Sequence, residues 1–189
     1  MKAEILAIRF IHEGWSRFGI AQVRLADGAV VAREIEDHGN SVGVLPYDPD
    51  RRVATLVREL RVPPLFAAGE QVQLEAPAGL IDDGSPEENA LREVLEEVGL
   101  RLRDLEFVGA TYSCASLTTE KLHLFLAPYG WGDLAEEGGG AAGEHENIRI
   151  VEMPLAQLAG MADRAELTDL KTLTLVLALR ARHPELFGA

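Results

Sequence analysis

Hydrophobic and polar residues repeat along this chain with two different periods. Near the N-terminus, GIAQVRL and AVVAREIE read as strands joined by the turn Ala26-Asp27-Gly28. SVGVLPY and VATLVREL read as a second pair around Asp48-Pro49-Asp50. A loop at Pro63-Pro64 follows, and then a single strand, VQLEAPA. After Gly84 the period lengthens to that of a helix: Ala90, Leu91, Val94, Leu95 and Val98 share one face. Two strands, LEFVGATY and KLHLFLAPY, come next. A flexible Gly-, Ala- and Glu-rich stretch is expected from Gly130 to Gly143. The short strand NIRIVEM and two helical patterns, LAQLAGMA and LKTLTLVLALRAR, close the chain. This interleaving predicts an α+β fold with helices covering a mixed sheet.

The central helix is strongly punctuated. Ser85 suits the N-cap, Pro86 the first helical position, and Glu88 completes a capping box with Ser85. Gly99 suits the left-handed residue that ends a helix. Glu93, Glu96 and Glu97 stand three and four residues apart, hence as neighbours beside the apolar face. Their mutual repulsion calls for an offset. A hard cation with oxygen ligands supplies one, and Mg²⁺ is held through one or two carboxylates plus substrate phosphates. Taken alone, the pattern reads more readily as a solvated acidic face, with Arg92 bridging to Glu96.

Composition narrows the partners. The 189 residues suit one domain with room for a small appended one. The formal net charge of -13 argues against binding nucleic acid or anionic membranes through basic surface. No apolar run approaches the roughly 18 residues that span a bilayer. The N-terminus has no charged-then-apolar signal pattern. The single cysteine, Cys114, permits no internal disulfide, which fits a cytoplasmic protein and equally a cysteine-poor exported one. Cys114 reads as a small packed residue, since no histidine accompanies it in a nucleophile pattern. His123 falls inside a strand pattern and reads as structural.

Arg92-Glu93-Val94-Leu95-Glu96-Glu97-Val98-Gly99-Leu100, with Gly79 upstream, resembles the Nudix signature G-x5-E-x7-R-E-U-x-E-E-x-G-U. Its first half departs from the pattern: Gly79 to Arg92 is one residue short, and Gly84-Ser85-Pro86 lacks the first glutamate. That shortened loop resembles the GDP-mannose pyrophosphatases, relatives of the ADP-ribose pyrophosphatases. The likeness runs from about Val31 to Leu179, through TLVRELRVP, QLEAPAGLIDDG, GEHENIRIVEMPLAQL and TDLKTLTLVLAL. Ser113-Cys114-Ala115-Ser116 stands where many ADP-ribose hydrolases have Ser-Pro-Gly.

The resemblance implies an α/β/α sandwich at 39–189 with an N-terminal β-subdomain at 1–38, exchanged across a homodimer. It also implies Mg²⁺-dependent hydrolysis of a nucleoside diphosphate sugar, with Mn²⁺ as a substitute. The implied metal ligands are Glu93, Glu96, Glu97 and the Ala78 carbonyl. Glu144 and Glu146 resemble the loop acids of catalysis, with Glu146 also reaching a metal. Arg61 resembles a phosphate contact, Arg33 and Glu34 a reach to the partner's nucleotide site, and Glu120 a contact to the distal sugar. Lys171, in Asp169-Leu170-Lys171-Thr172, resembles an Asp-Gly-Lys-Thr stretch of the GDP-mannose enzymes. Each of these outer residues fits an ordinary surface charge as well. A non-catalytic nucleotide-binding sensor is the rival reading, because the first glutamate is missing.

Overall fold

A computed structural model describes residues 2–140 and 147–188. The chain divides into two compact units: Met1–Asn40 with Thr111–Leu122, and Ser41–Ala110 with His123–Ala189.

The first unit holds a three-stranded antiparallel sheet: β1 (Glu4–Glu13), β2 (Arg17–Arg24) and β3 (Val30–Asp37), in that order. Sequence pattern supplied β2 and β3 and missed β1. The reason is visible in the register, which shifts between Ile5 and Ala7 and again between Phe10 and His12. Each shift resets the side-chain alternation, so EILAIRFIHE never displays a clean period of two.

The second unit holds a seven-stranded sheet. Its main path runs β10 (Arg149–Pro154), β5 (Val53–Glu59), β4 (Ser41–Asp48), β9 (Lys121–Pro128), β8 (Glu106–Tyr112). VQLEAPA is two short strands rather than one. β6 (Gln73–Glu75) pairs with β5, and β7 (Ala78–Leu80) pairs with β4. Pro77 lies between them and has no N–H to donate to a ladder, so the chain changes partner there.

Every residue of β4 is buried, so both faces of the sheet are covered at that strand. Val42 and Val44 pack with Ala90, Val94 and Val98 of α2 (Pro86–Val98). Between them Gly43 points the other way, where a Cβ would meet Lys171 of α4 (Leu170–Arg182). Helices on opposite faces of one sheet make the expected α/β/α arrangement, with α3 (Leu155–Asp163) packed against α4.

Two expectations need correction. Pro63-Pro64 opens a helix, α1 (Val62–Ala68), instead of a loop. Both prolines fall in its first turn, where the missing N–H has no helical partner to lose. Within the stretch expected to be flexible, 130–140 is tied down: Trp131–Asp133 form a 3-10 turn, and Gly139 and Gly140 donate to carbonyls of α2. Among the described residues no helix is long and apolar enough to cross a membrane.

Candidate active site

The register of α2 is fixed at both ends. Ser85 Oγ accepts from Glu88 N at 3.2 Å, and Glu88 Oε2 accepts from Ser85 N at 2.8 Å, the capping box read from sequence. Gly99 takes φ 70° at the other end. There, Gly139 N donates to the Glu97 carbonyl at 2.8 Å and Gly140 N to the Glu96 carbonyl at 3.1 Å. Two of the last turn's orphan acceptors are thus satisfied by the segment 130–140.

A helix held in this way delivers two glutamates to β7. Glu97 is 4% exposed, and its Oε2 accepts from Ala78 N at 3.2 Å. The Glu93 carboxyl lies over Gly79: a Cβ on that glycine would stand 2.0 Å from Glu93 Cδ. The opening glycine of the signature is therefore a place where a carboxylate needs bare backbone. Glu96 lies farther round the helix and is held by Arg92, whose Nη1 is 2.8 Å from Glu96 Oε2. The same guanidinium reaches Glu93 Oε1 at 2.7 Å through Nη2. Burial opposes the charge on Arg92, but the carboxylates of Glu93 and Glu96 outweigh it and hold its pKa above the ordinary value.

Among the described residues, no three His, Cys, Asp or Glu side chains already converge as a metal cage. The donors that do gather at Ala78–Gly79 are hard oxygens of two carboxylates, the chemistry a Mg²⁺-sized cation takes. The cradle at Gly79 fits such a group, and Arg92 is paired with Glu93 beside it. Glu144 and Glu146 lie outside the described residues.

Arg61 and Lys171, 110 positions apart in the chain, meet on one carboxylate that sequence reasoning overlooked. Glu75 is 4% exposed and accepts from Arg61 Nε and Nη2, each at 3.0 Å. Lys171 Nζ also bonds to Glu75, and lies 3.2 Å from Asp169 Oδ1. Glu59, 8% exposed, is 2.8 Å from Arg61 Nη2. Burial favours protonation of Glu75, yet the bonds from Arg61 and the charge of Lys171 prevail and hold its pKa below the usual glutamate value. The signal was present in the sequence: Glu75 is an acid within a strand, and Glu59 ends the preceding one. What was absent was any local sign of their partners.

The remaining candidates belong to the first unit. Arg33 and Glu34 on β3 line a cavity with Ile20, Ala32, Ser116 and Leu117. Glu120 Oε1 is 3.5 Å from His38 Nε2, and His38 stacks on Trp15 with ring centroids 4.9 Å apart. Cys114 is exposed, with its Sγ 3.4 Å from Ser116 Oγ.

A family model matches the stretch of chain that carries the helix, the glycine strand and the mixed sheet. The NUDIX domain matches residues 37–175, so the chain belongs to the Nudix family and is a Nudix hydrolase. It is 36% identical over 159 residues to a GDP-mannose pyrophosphatase of Cronobacter sakazakii, covering 82% of each chain. It is 33% identical over 160 residues to the GDP-mannose pyrophosphatase of Escherichia coli K12, covering 83% of each. A solved structure described as an ADP compounds hydrolase superposes with a TM-score of 0.79 at 23% identity, over 98% of this chain and 96% of the other, and shares the fold.

Proposed function

We propose that this Nudix hydrolase cleaves the pyrophosphate bond of a nucleoside diphosphate sugar in a Mg²⁺-dependent reaction, giving a nucleoside monophosphate and a sugar phosphate. One observation carries the reading. Glu93 and Glu97 converge on Ala78–Gly79 in a chain 36% identical to a GDP-mannose pyrophosphatase. GDP-mannose is the favoured substrate over ADP-ribose, supported by those relatives and by the shortened loop between Gly79 and Arg92.

Glu93, Glu97 and the Ala78 carbonyl hold the cation, with Glu96 and Glu146 as additional ligands. When bound, Mg²⁺ supplies charge neutralisation to the diphosphate and acidifies the attacking water. Arg61 and Lys171 contact the phosphates, for which a guanidinium fork and an ammonium are suited. Glu144 or Glu146 orients and deprotonates the water, a carboxylate role that works at hydrogen-bond range. Arg33, Glu34 and Glu120 serve the nucleotide and sugar ends. Catalysis rests on positioning and charge, with no covalent intermediate on the protein.

We also assign a homodimer that uses the N-terminal unit. This is supported by the apolar row of β1, where Ile5, Ile8 and Ile11 are 57%, 40% and 51% exposed.

The test is a panel of nucleoside diphosphate sugars with Mg²⁺ and Mn²⁺, with products identified by mass. Nucleoside monophosphate plus sugar phosphate is expected, fastest from GDP-mannose. Binding without any product would overturn the reading.

A further inference from the structure

Arg61 and Lys171 come from different elements, yet neither stands alone. Glu75 receives both, and it is the most enclosed member of the group: its side chain is 5% exposed, against 39% for Arg61 and 11% for Lys171. All three side chains border an open cavity of about 330 Å³, lined also by Gln73, Thr168 and Asp169, with Arg61 the most exposed of the three and Glu75 the most enclosed. Arg61 uses Nε and Nη2 on Glu75, and Nη2 on Glu59, which leaves Nη1 outside these contacts. The strand that carries Glu75 leads through Ala76 to Ala78, whose N–H donates to Glu97 Oε2 at 3.2 Å.

A second set of bonds fixes the strand that carries Glu75. Asp169 caps α4 by accepting from Thr172 N at 2.9 Å. Thr172 Oγ1 in turn accepts from Ala76 N at 2.7 Å, two residues before Ala78. The helix end bearing Lys171 and the strand leading to Gly79 are thereby one assembly.

We propose that Glu75 is a positioning residue that makes Arg61 and Lys171 a single phosphate-reading unit on the strand segment that leads to Ala78 and Gly79. This rests on the nucleoside diphosphate sugar reading above. Both side chains are long and lose much rotamer freedom when fixed. Glu75 fixes them before substrate arrives, so they meet the developing charge of the transition state without reorganising. A purely structural ion cluster has a weaker rationale, because a buried ion pair seldom stabilises more than apolar residues of the same volume. It also gives no reason for Arg61 to stay 39% exposed at the cavity.

Groups that act as a unit show strongly non-additive losses. The experiment is a double-mutant cycle on the full chain, with GDP-mannose and ADP-ribose as substrates and Mg²⁺ present. Glu75→Gln should lower kcat/KM at least about tenfold, mostly in kcat, and Arg61→Ala should then add less than about threefold to that loss. Independent multiplication of the two losses overturns the proposal, as does a Glu75→Gln enzyme with unaltered kinetics. Thermal melts accompany each variant. Should Glu75→Gln fail to fold, the Arg61→Ala/Lys171→Ala cycle decides with Glu75 in place: sub-additive losses support the unit, and additive ones overturn it. If the unaltered chain turns over no sugar nucleotide, the functional reading itself fails and this inference with it. If it does turn them over and the losses add, only the role of Glu75 fails.

Discussion

Two acidic clusters in the second unit face the same charge problem and resolve it differently. On α2, Glu93 and Glu96 share Arg92, whose side chain is 40% exposed. Around β6, Glu59, Glu75 and Asp169 are held by Arg61 and Lys171, and the central carboxylate is sealed from solvent. The pair Arg92–Glu96 is exposed on both sides and contributes about 0–1 kcal/mol, whereas removing one partner of a buried pair such as Lys171–Glu75 costs about 3–5 kcal/mol. Arg92 can therefore leave Glu96 at little cost, whereas Lys171 leaves Glu75 only at a large one. One cluster holds its countercharge loosely, and the other holds it firmly.

The largest expected effect breaks the loosely held side. Glu97→Gln keeps an acceptor for Ala78 N but removes a charged oxygen from the site. Lewis-acid neutralisation is worth several kcal/mol. Mg²⁺-dependent turnover should therefore fall at least about 100-fold, with the fold retained. Intact turnover in steady-state assays sinks the metal assignment.

Gly79→Ala sharpens the same point. The three atoms nearest the new Cβ are all at the far end of the Glu93 side chain, at 2.0 to 2.4 Å, and Gly79 lacks positive φ. Glu93 swings aside, the backbone stays, and stability should change by less than about 1 kcal/mol. Turnover should drop by about 10- to 100-fold, as when a ligand's supporting shell is altered. A large loss of thermal stability with catalysis preserved would contradict this.

The contrast also explains what sequence could reveal. Glu93, Glu96, Glu97, Ser85 and Gly99 lie on one helix, where spacing alone dictates neighbours. They were legible together. Glu75 meets Arg61 across 14 positions and Lys171 across 96, through a partner switch at Pro77 that reads as one continuous strand. β1 escaped detection because its register irregularities cancel the alternation that marks a strand. α1 escaped because prolines disrupt helices everywhere except the turn where these two sit. The interleaving of strands and helices made helices covering a mixed sheet legible, and the family resemblance implied the α/β/α layering.

Gly99→Ala should affect stability more than chemistry, the reverse of Gly79→Ala. Its φ of 70° disfavours a side chain by about 1–2 kcal/mol. A Cβ there would also lie 2.2 Å from the Glu136 carbonyl oxygen, a backbone atom that cannot rotate away. The melting temperature should fall by roughly 2–4 °C for each kcal/mol lost. An unchanged melt would show that segment 130–140 does not brace the end of α2.

The smallest effect is read against pH and concerns the cluster that keeps its countercharge. Glu75 ionises below the ordinary glutamate value of 4.5 in the folded chain. A carboxylate depressed on folding adds stability that is complete above its unfolded pKa and disappears as pH falls through its folded one. Glu75→Gln should therefore flatten the decline in stability below about pH 4.5, although the variant is less stable at neutral pH. Glu36, Asp37, Glu106, Glu152 and Glu166 are also depressed, so a residual acid slope persists in both proteins. Urea midpoints from neutral to acid pH measure the difference. Parallel slopes would mean that Glu75 titrates alike folded and unfolded, and that the two cations do not hold it as a fixed charge.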